Sequence, residues 1–376
     1  MKKHFPGFDS LRFFAALLVV LQHIESSKAA LGWGDVVSNF FRNGHTAVYF
    51  FFTLSGFLIT YKLLQDKSSA QGIDVGNFYL RRILRIWPLY FFVLAMALIV
   101  LPIIYKELDY TVSKVYTQNE ILLYLLFLPF AVNYFYSGGV LTPLWSIGVE
   151  EYFYVLWAPL LKRVKWEKLI YVFIGIIVFR LLFSTSLKFF DIQNKYIDVI
   201  NVLRFEYMAL GGIGAYFYRQ KPLLHQGILF KKPMQLLLMS LLMIILFYNV
   251  AIKQFLLYDN WYHFLTAFLF LWLILNVGTN PHNIIKIANP VFEYLGKLSY
   301  GMYVFHTLVI AVVIAYYKEL FIKEEDSRVL ILYTAVLGYT VLISVLSYHF
   351  LEKPFLNYKK HLKNWSANAK AGQLTN

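Results

Sequence analysis

The amino-acid sequence predicts an all-α, polytopic integral membrane protein with about ten transmembrane helices. Hydrophobic residues make up 59% of the 376 residues and charged residues only 15%, whereas a soluble domain carries about 25% charged residues. Apolar stretches long enough to cross the ~30 Å hydrocarbon core of a bilayer recur along the whole chain. The absence of cysteine excludes disulfide bonds, thiol nucleophiles and cysteine-ligated zinc sites.

Eleven apolar segments divide the chain, and one of them differs from the rest. Segment 120–135 is short and contains Pro129, and Ser137, Gly138 and Gly139 follow it. We expect this segment to be re-entrant or interfacial, which leaves ten spans. The predicted spans are 8–27, 45–64, 86–105, 145–161, 167–186, 200–219, 236–252, 261–278, 298–316 and 328–350.

Basic residues lie mainly in short clusters between the apolar segments. With a cytoplasmic N-terminus, the cytoplasmic segments hold 22 Lys and Arg residues and the external segments hold ten. The positive-inside rule therefore predicts a multi-pass protein with both termini in the cytoplasm, and we expect it in the plasma (inner) membrane. The net charge of +14 forms no basic patch on a soluble domain, which argues against nucleic acid as a partner. We expect one domain, 1–362, followed by a short polar cytoplasmic tail, 363–376.

The first apolar segment carries two ionisable side chains, Arg12 and His23. Such groups are costly in lipid, so each needs a partner or a water-filled cavity. At 100° per residue, His23 lies within about 20° of Arg12 and roughly 16 Å further along the helix. One helix face thus presents a cation near the cytoplasm and a titratable base deeper in the membrane. The structural alternatives are a helix–helix hydrogen bond for His23 and an ion pair with Asp9 for Arg12.

A pair of arginines in YLRRILRIWPLYFF suits a phosphorylated substrate. Arg82 and Arg85 are three residues apart and share a helix face. Paired guanidiniums match phosphate oxygens through several charge-assisted hydrogen bonds. Their predicted position at the cytoplasmic mouth suits a cytosolic donor such as coenzyme A. The alternative is a positive-inside anchor that contacts lipid headgroups.

The segment LTPLWSIGVEEYFY contains two neighbouring acids in an apolar helix. Carboxylates there are costly to desolvate unless they are paired or neutralised. A general-base or base-orienting role is one reason to keep them, and an ion pair to an arginine is the other. Glu150 is the stronger candidate because it shares a helix face with Ser146 and Tyr154, whereas Glu151 lies one position round. Ser146 and Glu151 are candidates for acceptor contacts or for support of the site.

Other polar residues leave two interpretations open. Arg204 and Glu206 either contact an acceptor or pair with other charges, and His306 is either a second functional histidine or a packed polar contact. Ser55 and Gly56 fit close helix packing better than catalysis. Metal-ligand spacing, Walker patterns and dinucleotide-binding glycine patterns are absent from the sequence, so we predict no metal.

Six motifs, taken in order, resemble the acyltransferase family 3 membrane proteins, which are membrane-bound O-acyltransferases of envelope carbohydrates and related acceptors. The opening FPGFDSLRFFAALLVVLQH contains the arginine, ten residues and histidine of that family. The resemblance covers the chain from about Phe5 to Phe355, and Tyr152 departs from it where a glutamine is common. The other motifs are FFTLSGFLI, FYLRRILRIWPLY, LTPLWSIGVEEYFY, LGKLSYGMYVFHTL and HFLEKPF.

The resemblance implies transfer of an acyl group, usually acetyl, from cytosolic acyl-CoA to a hydroxyl, chiefly of a bacterial cell-envelope carbohydrate. Acetyl-CoA is then a co-substrate. The resemblance assigns His23 as catalytic base and Arg12 as its motif partner. It also assigns Glu150 as the motif glutamate, and Arg82 and Arg85 as the pair that holds the CoA phosphates. Some members carry a fused SGNH-type domain, which we do not expect here, so the need for a separate periplasmic partner stays open.

Two further questions stay open at the level of sequence. His23 either deprotonates the acceptor hydroxyl or relays the acyl group through a covalent species. A proton-coupled small-molecule transporter is the alternative function, because buried His, Glu and Arg also build proton relays. Transporters commonly show inverted repeats with broken helices, and we find no convincing repeat between the two halves of this chain.

Overall fold

The computed structural model of the protein describes residues 5–33, 38–110, 114–190, 192, 194–221, 226–255, 259–317 and 327–358. Within these ranges the chain forms helices joined by turns and short 3-10 segments, with no strand. The all-α class predicted from the sequence is therefore confirmed. The predicted tail 363–376 and the basic residues Lys2 and Lys3 lie outside the described residues.

Several helices begin where the sequence offers a capping residue. The Asp74 side chain accepts a hydrogen bond from the Asn77 amide, and Thr117 and Glu120 form a reciprocal capping box. The helices are α1 (Phe8–Ala30), α2 (Gly44–Lys67), α3 (Val75–Ala95), α4 (Leu101–Glu107), α5 (Gln118–Leu125), α6 (Pro129–Phe135), α7 (Trp145–Arg163), α8 (Trp166–Phe189), α9 (Lys195–Asn201), α10 (Phe205–Gln220), α11 (Lys232–Phe247), α12 (Asn249–Phe255), α13 (Asp259–Thr279), α14 (Pro290–Lys297), α15 (Ser299–Tyr316) and α16 (Arg328–Ser347).

Six helices of the described residues are long and apolar enough to cross a bilayer. The polytopic membrane class is therefore confirmed. The count of ten spans stays a prediction, because α1, α7, α10 and α11 fall below these limits of length or hydropathy. α10 and α11 have 16 residues each, and polar residues such as Arg12 and His23 lower the hydropathy of α1. The six helices are Gly44–Lys67, Val75–Glu107, Trp166–Leu187, Trp261–Thr279, Ser299–Tyr316 and Arg328–Tyr358.

Segment 120–135 does not form one spanning helix. It divides into α5 and α6, and Phe127 between them has a left-handed backbone with φ of 58°. Pro129 occupies the first turn of α6, where its missing N–H removes no helical hydrogen bond. Helices of eight and seven residues are only about 10–12 Å long. The segment is therefore too short in each part to cross the membrane.

Two long helices contain a π-helical turn. Met96–Val100 joins α3 to α4, and Tyr348–Glu352 extends α16. In each case a proline, Pro102 or Pro354, follows two residues after the turn. Proline cannot donate to the carbonyl four residues earlier and its ring crowds that carbonyl, so a local widening of the helix relieves the conflict.

α2 lies at the centre of the packing, against α1, α7, α10 and α13. α2 and α10 approach each other closely because a glycine on each helix faces the backbone of the other helix. A Cβ atom on Gly56 would lie 2.1 Å from the Met208 carbonyl oxygen, and one on Gly211 would lie 2.0 Å from the Thr53 carbonyl oxygen. This geometry agrees with the interpretation of Gly56 as a packing residue.

We expect Gly56→Ala to lower the free energy of unfolding by about 1–3 kcal/mol, because the added methyl forces α2 and α10 apart. Thermal unfolding of the detergent-purified protein measures the effect. Gly175→Ala on α8 is the matched control, since a Cβ there meets nothing within 4 Å. Equal melting temperatures for the two variants would contradict the packing argument.

Candidate active site

A cavity of about 430 Å³ lies between α1, α2, α3, α7 and α15. It brings together five residues that the sequence singled out from three separate helices. Side chains of α2 and α15 complete its polar lining, and Phe5, Phe51, Phe52, Leu54, Leu58 and Ile86 are among its apolar residues. The five residues from the sequence are Arg12, Arg82, Arg85, Ser146 and Glu150.

The arginine pair faces this cavity without a direct anionic partner among the described residues. The Arg82 guanidinium stacks over the Tyr154 ring at 5.2 Å and the Phe78 ring at 5.5 Å, and the Arg85 side chain is exposed. The neighbouring Arg81 differs, since it donates to Asn77 at 3.0 Å and lies 3.8 Å from an Asp66 oxygen. Arg82 and Arg85 are therefore free to bind an anion that enters the cavity.

Glu150 is held by a hydrogen-bonded chain across the cavity wall. The Tyr154 hydroxyl donates to a Glu150 carboxylate oxygen, so Ser55 must donate to the Tyr154 oxygen, at 2.8 Å. The positive charges of three arginines, Arg82, Arg85 and Arg12, act on this carboxylate. In the predicted orientation, the helix that carries Glu150 runs inward, which puts Glu150 in the outer half of the membrane and apart from the cytoplasmic arginines. The structure instead groups Glu150 with Arg12, Arg82 and Arg85.

Glu151 points elsewhere, as the helical spacing predicted. Its Oε2 accepts a hydrogen bond from the Trp87 indole at 3.3 Å, while its buried Oε1 has no partner among the described residues. Ser146 faces the cavity, where the Tyr303 hydroxyl donates to the Pro143 carbonyl at 2.9 Å and accepts from Ser146 at 2.7 Å. Of the two acids, only Glu150 lies with Ser146 in the cavity lining.

Arg12 and His23 occupy different parts of the site. Arg12 lines the cavity and forms an ion pair with Asp9 at 2.6 Å. His23 is absent from the cavity lining and packs against His306, with their ring centroids 4.7 Å apart. Tyr303 lines the cavity and its ring lies 6.0 Å from the His306 ring. α15 therefore connects the end of the cavity to the two histidines.

Arg204 and Glu206 lie outside the cavity. The Glu206 carboxylate is buried, with one oxygen 3.3 Å from Arg180 Nε and the other 3.6 Å from Arg204 Nη1. Arg180 also donates to the Asn201 side chain at 2.5 Å. Of the two interpretations that the sequence left open, this geometry favours charge pairing.

α2 contributes a polar stripe to the cavity. Ser55, which the sequence assigned to helix packing, instead lines the cavity and contacts the Tyr154 hydroxyl. Lys62 and Gln65, which the sequence did not single out, line the cavity with Leu58, and the spacing of three or four residues puts all of these residues on one helix face. That spacing was a readable signal. Tyr303 was also missed, although it precedes His306 by one helical turn within the same motif.

The comparison with protein families identifies the chain. A family model described as an acyltransferase domain, that of acyltransferase family 3, matches residues 5–349. The chain belongs to this acyltransferase family. The predicted resemblance is thereby confirmed over nearly the whole sequence.

Relatives of this acyltransferase family member carry related names. A putative O-acetyltransferase of Staphylococcus aureus (strain MRSA252) is 26% identical over 387 residues, which cover 97% of this chain and 59% of the relative. O-acetyltransferase OatA of Staphylococcus aureus (strain NCTC 8325 / PS 47) is 26% identical over 375 residues, which cover 94% of this chain and 57% of OatA. The chain thus spans less than three fifths of the length of these relatives. No solved structure matches it significantly.

We expect Glu206→Ala to lower the free energy of unfolding by about 3–5 kcal/mol, because it leaves the buried Arg180 charge without its carboxylate partner. Thermal unfolding in detergent measures the loss. Glu107→Ala, which removes an exposed carboxylate at the end of α4, is the control and should leave the melting temperature unchanged. An unchanged melting temperature for the Glu206 variant would show that the cluster contributes nothing to stability.

Proposed function

We propose that this chain is a membrane O-acyltransferase that moves an acetyl group from cytosolic acetyl-CoA to a hydroxyl of a cell-envelope carbohydrate. The observation that carries the proposal is the cavity lined by Arg12, Arg82 and Arg85, with a histidine pair beyond its far end. Family membership supports acyl transfer, and the O-acetyltransferase names of the relatives support acetyl as the group.

The donor site follows from charge and position. In the predicted orientation, the end of the cavity near Lys62 and Gln65 is the cytoplasmic end. Arg82 and Arg85, which have no direct anionic partner among the described residues, bind the CoA phosphates there through charge-assisted hydrogen bonds. The acyl-pantetheine arm then extends past Ser146 towards Tyr303, and the apolar walls of the cavity receive its uncharged part.

The chemistry needs a base at the far end of the donor. His23 removes the proton from the acceptor hydroxyl, and the oxygen attacks the thioester carbon. The C–O bond of the ester forms, the C–S bond breaks, and the CoA thiolate takes up the proton. When no donor is bound, the Glu150 carboxylate offsets part of the positive charge of Arg12, Arg82 and Arg85, which act on it. Arg12 adds positive charge next to the donor.

The acceptor approaches from the side of the membrane opposite the CoA phosphates. His23 lies three helical turns above Arg12, which separates the base from the phosphate end by roughly 16 Å. This separation supports an acceptor outside the cytoplasm, and an envelope carbohydrate is the class that the family resemblance names. We therefore propose the plasma membrane as the location, with both termini in the cytoplasm.

Binding of acetyl-CoA separates the enzyme from a proton-coupled transporter. We expect Arg82→Ala with Arg85→Ala to weaken acetyl-CoA binding at least tenfold, since each lost charged contact is worth about 1.5–3 kcal/mol. Isothermal titration of the detergent-purified protein measures the Kd. Arg81→Ala is the matched control, because Arg81 adjoins the pair but is engaged with Asn77. A wild-type protein that ignores acetyl-CoA would favour the transporter.

Removal of the base tests the reaction itself. We expect His23→Ala to lower acetyl transfer by about 10²–10⁴-fold, the usual contribution of a positioned base, while acetyl-CoA binding is retained. Membranes with their endogenous acceptors are incubated with acetyl-labelled acetyl-CoA, and base-labile label in the glycan fraction reports O-acetylation. His282→Ala, in an exposed loop, is the control. Normal transfer by the His23 variant would rule out the mechanism.

A further inference from the structure

We infer that His306 is a positioning residue that supplies the second nitrogen base of a histidine pair and stabilises His23 while His23 carries the acceptor proton, an inference that rests on the proposed function. The two rings are in direct contact, with centroids 4.7 Å apart and planes at 64°. His306 is 0% exposed, and its Nε2 atom is buried without a hydrogen-bond partner among the described residues. His23 is only partly buried, so His23 meets the acceptor and His306 acts through it.

The hydrogen bonds of the two rings determine where their lone pairs lie. His23 Nδ1 is 2.9 Å from the Val19 carbonyl oxygen, and His306 Nδ1 is 2.7 Å from the Tyr303 carbonyl oxygen. A carbonyl oxygen only accepts hydrogen bonds, so each Nδ1 carries the hydrogen of the neutral ring. Each Nε2 then holds a lone pair. The fold thus builds two imidazoles in the same tautomer, with both basic nitrogens unprotonated.

The orphaned Nε2 of His306 points to a role beyond packing. A buried polar atom without a partner carries a desolvation penalty that hydrogen bonding does not offset. An apolar residue at position 306 would avoid that penalty. A partner that donates a hydrogen bond to Nε2 only during the reaction accounts for the unpaired atom. His23 is in contact with His306 and gains a proton during acyl transfer in the proposed function, so we take His23 as that partner.

A catalytic histidine commonly has a carboxylate that stabilises its charged form. Among the residues that the structure describes, no carboxylate makes a hydrogen bond or ion pair with His23 or His306. When His23 takes the acceptor proton it becomes a cation in a low-dielectric site. The neutral His306 ring, with its Nε2 lone pair, is then the group that stabilises this cation. The proton passes from His23 to the departing CoA thiolate, so His23 returns to the neutral state.

α15 links this pair to the donor cavity. One turn of the helix carries the Tyr303 hydroxyl, which is bonded to Ser146 in the cavity lining, and the Tyr303 carbonyl, which accepts from His306. Tyr303 therefore connects the His306 ring to the Ser146 side of the cavity, along which the acyl group passes in the proposed function. This arrangement predicts that a substitution of His306, which lies outside the cavity, lowers the rate of transfer without weakening donor binding.

Two substitutions separate a basic nitrogen from simple packing. His306→Asn keeps an N–H at the position of Nδ1 for the Tyr303 carbonyl but removes Nε2. His306→Gln places an amide oxygen near the position of Nε2, where it accepts a hydrogen bond from charged His23. We expect the Asn variant to lose at least tenfold in the rate at saturating acetyl-CoA, and the Gln variant to retain several times more activity than the Asn variant. Donor Kd and melting temperature should stay unchanged in both.

The assay uses the full chain in membranes, with labelled acetyl-CoA and base-labile label as the readout. His263→Asn, at another buried histidine whose ring lies 4.7 Å from Tyr49, controls for the loss of a buried imidazole and should transfer normally. An active wild type together with a His306→Asn rate within twofold of it would overturn the inference alone. Equal losses in the Asn and Gln variants, or a parallel loss of donor binding, would also overturn it. Absence of transfer by the wild type would overturn the proposed function, and the inference with it.

Discussion

The cost of holding a charged or titratable side chain within a bilayer governs this structure. A guanidinium or imidazole among lipid chains is tolerated only where a partner or a polar cavity receives it. The helices here therefore cannot be arranged by apolar packing alone. α1, α3 and α7 turn Arg12, Arg82 and Glu150 towards one another, and the space left between them is the cavity.

The same constraint divides the ionisable residues into two groups. Glu206 pairs with both Arg180 and Arg204, and Lys28 pairs with Glu25 at 3.1 Å. The Arg180–Glu206 pair connects α8 to α10, whereas the Lys28–Glu25 pair lies within α1. Arg82 and Arg85 are the opposite case, since the cavity gives them access to a ligand instead of a protein carboxylate. The absence of a direct anionic partner among the described residues is the reason why we assign Arg82 and Arg85 to the proposed donor site.

Small side chains and hydroxyl groups make the cavity compatible with a tightly packed bundle. Glycines at the contact of α2 with α10 let two backbones approach closely, which leaves the opposite face of α2 for Ser55 and Lys62. Tyrosine hydroxyls then join the helices around the cavity: Tyr154 bridges Ser55 and Glu150, and Tyr303 connects Ser146 to the Pro143 carbonyl. The site is therefore supported by helices that pack directly on one another.

The sequence by itself determined the membrane class, the helical segments, the break at 120–135 and the family, because composition, periodicity, proline and motif order are local properties. It also brought out Arg12, Arg82, Arg85, Ser146 and Glu150, since helical spacing predicts which side chains share a face. Only the tertiary structure decided which faces meet.

Contacts between helices distant in the sequence group Glu150 with the arginines and pair Glu206 with Arg180. They also set His23 against His306, more than 280 residues away in the chain. Periodicity describes each helix about its own axis. It carries no information on the rotation of one helix relative to another, which packing and charge pairing determine.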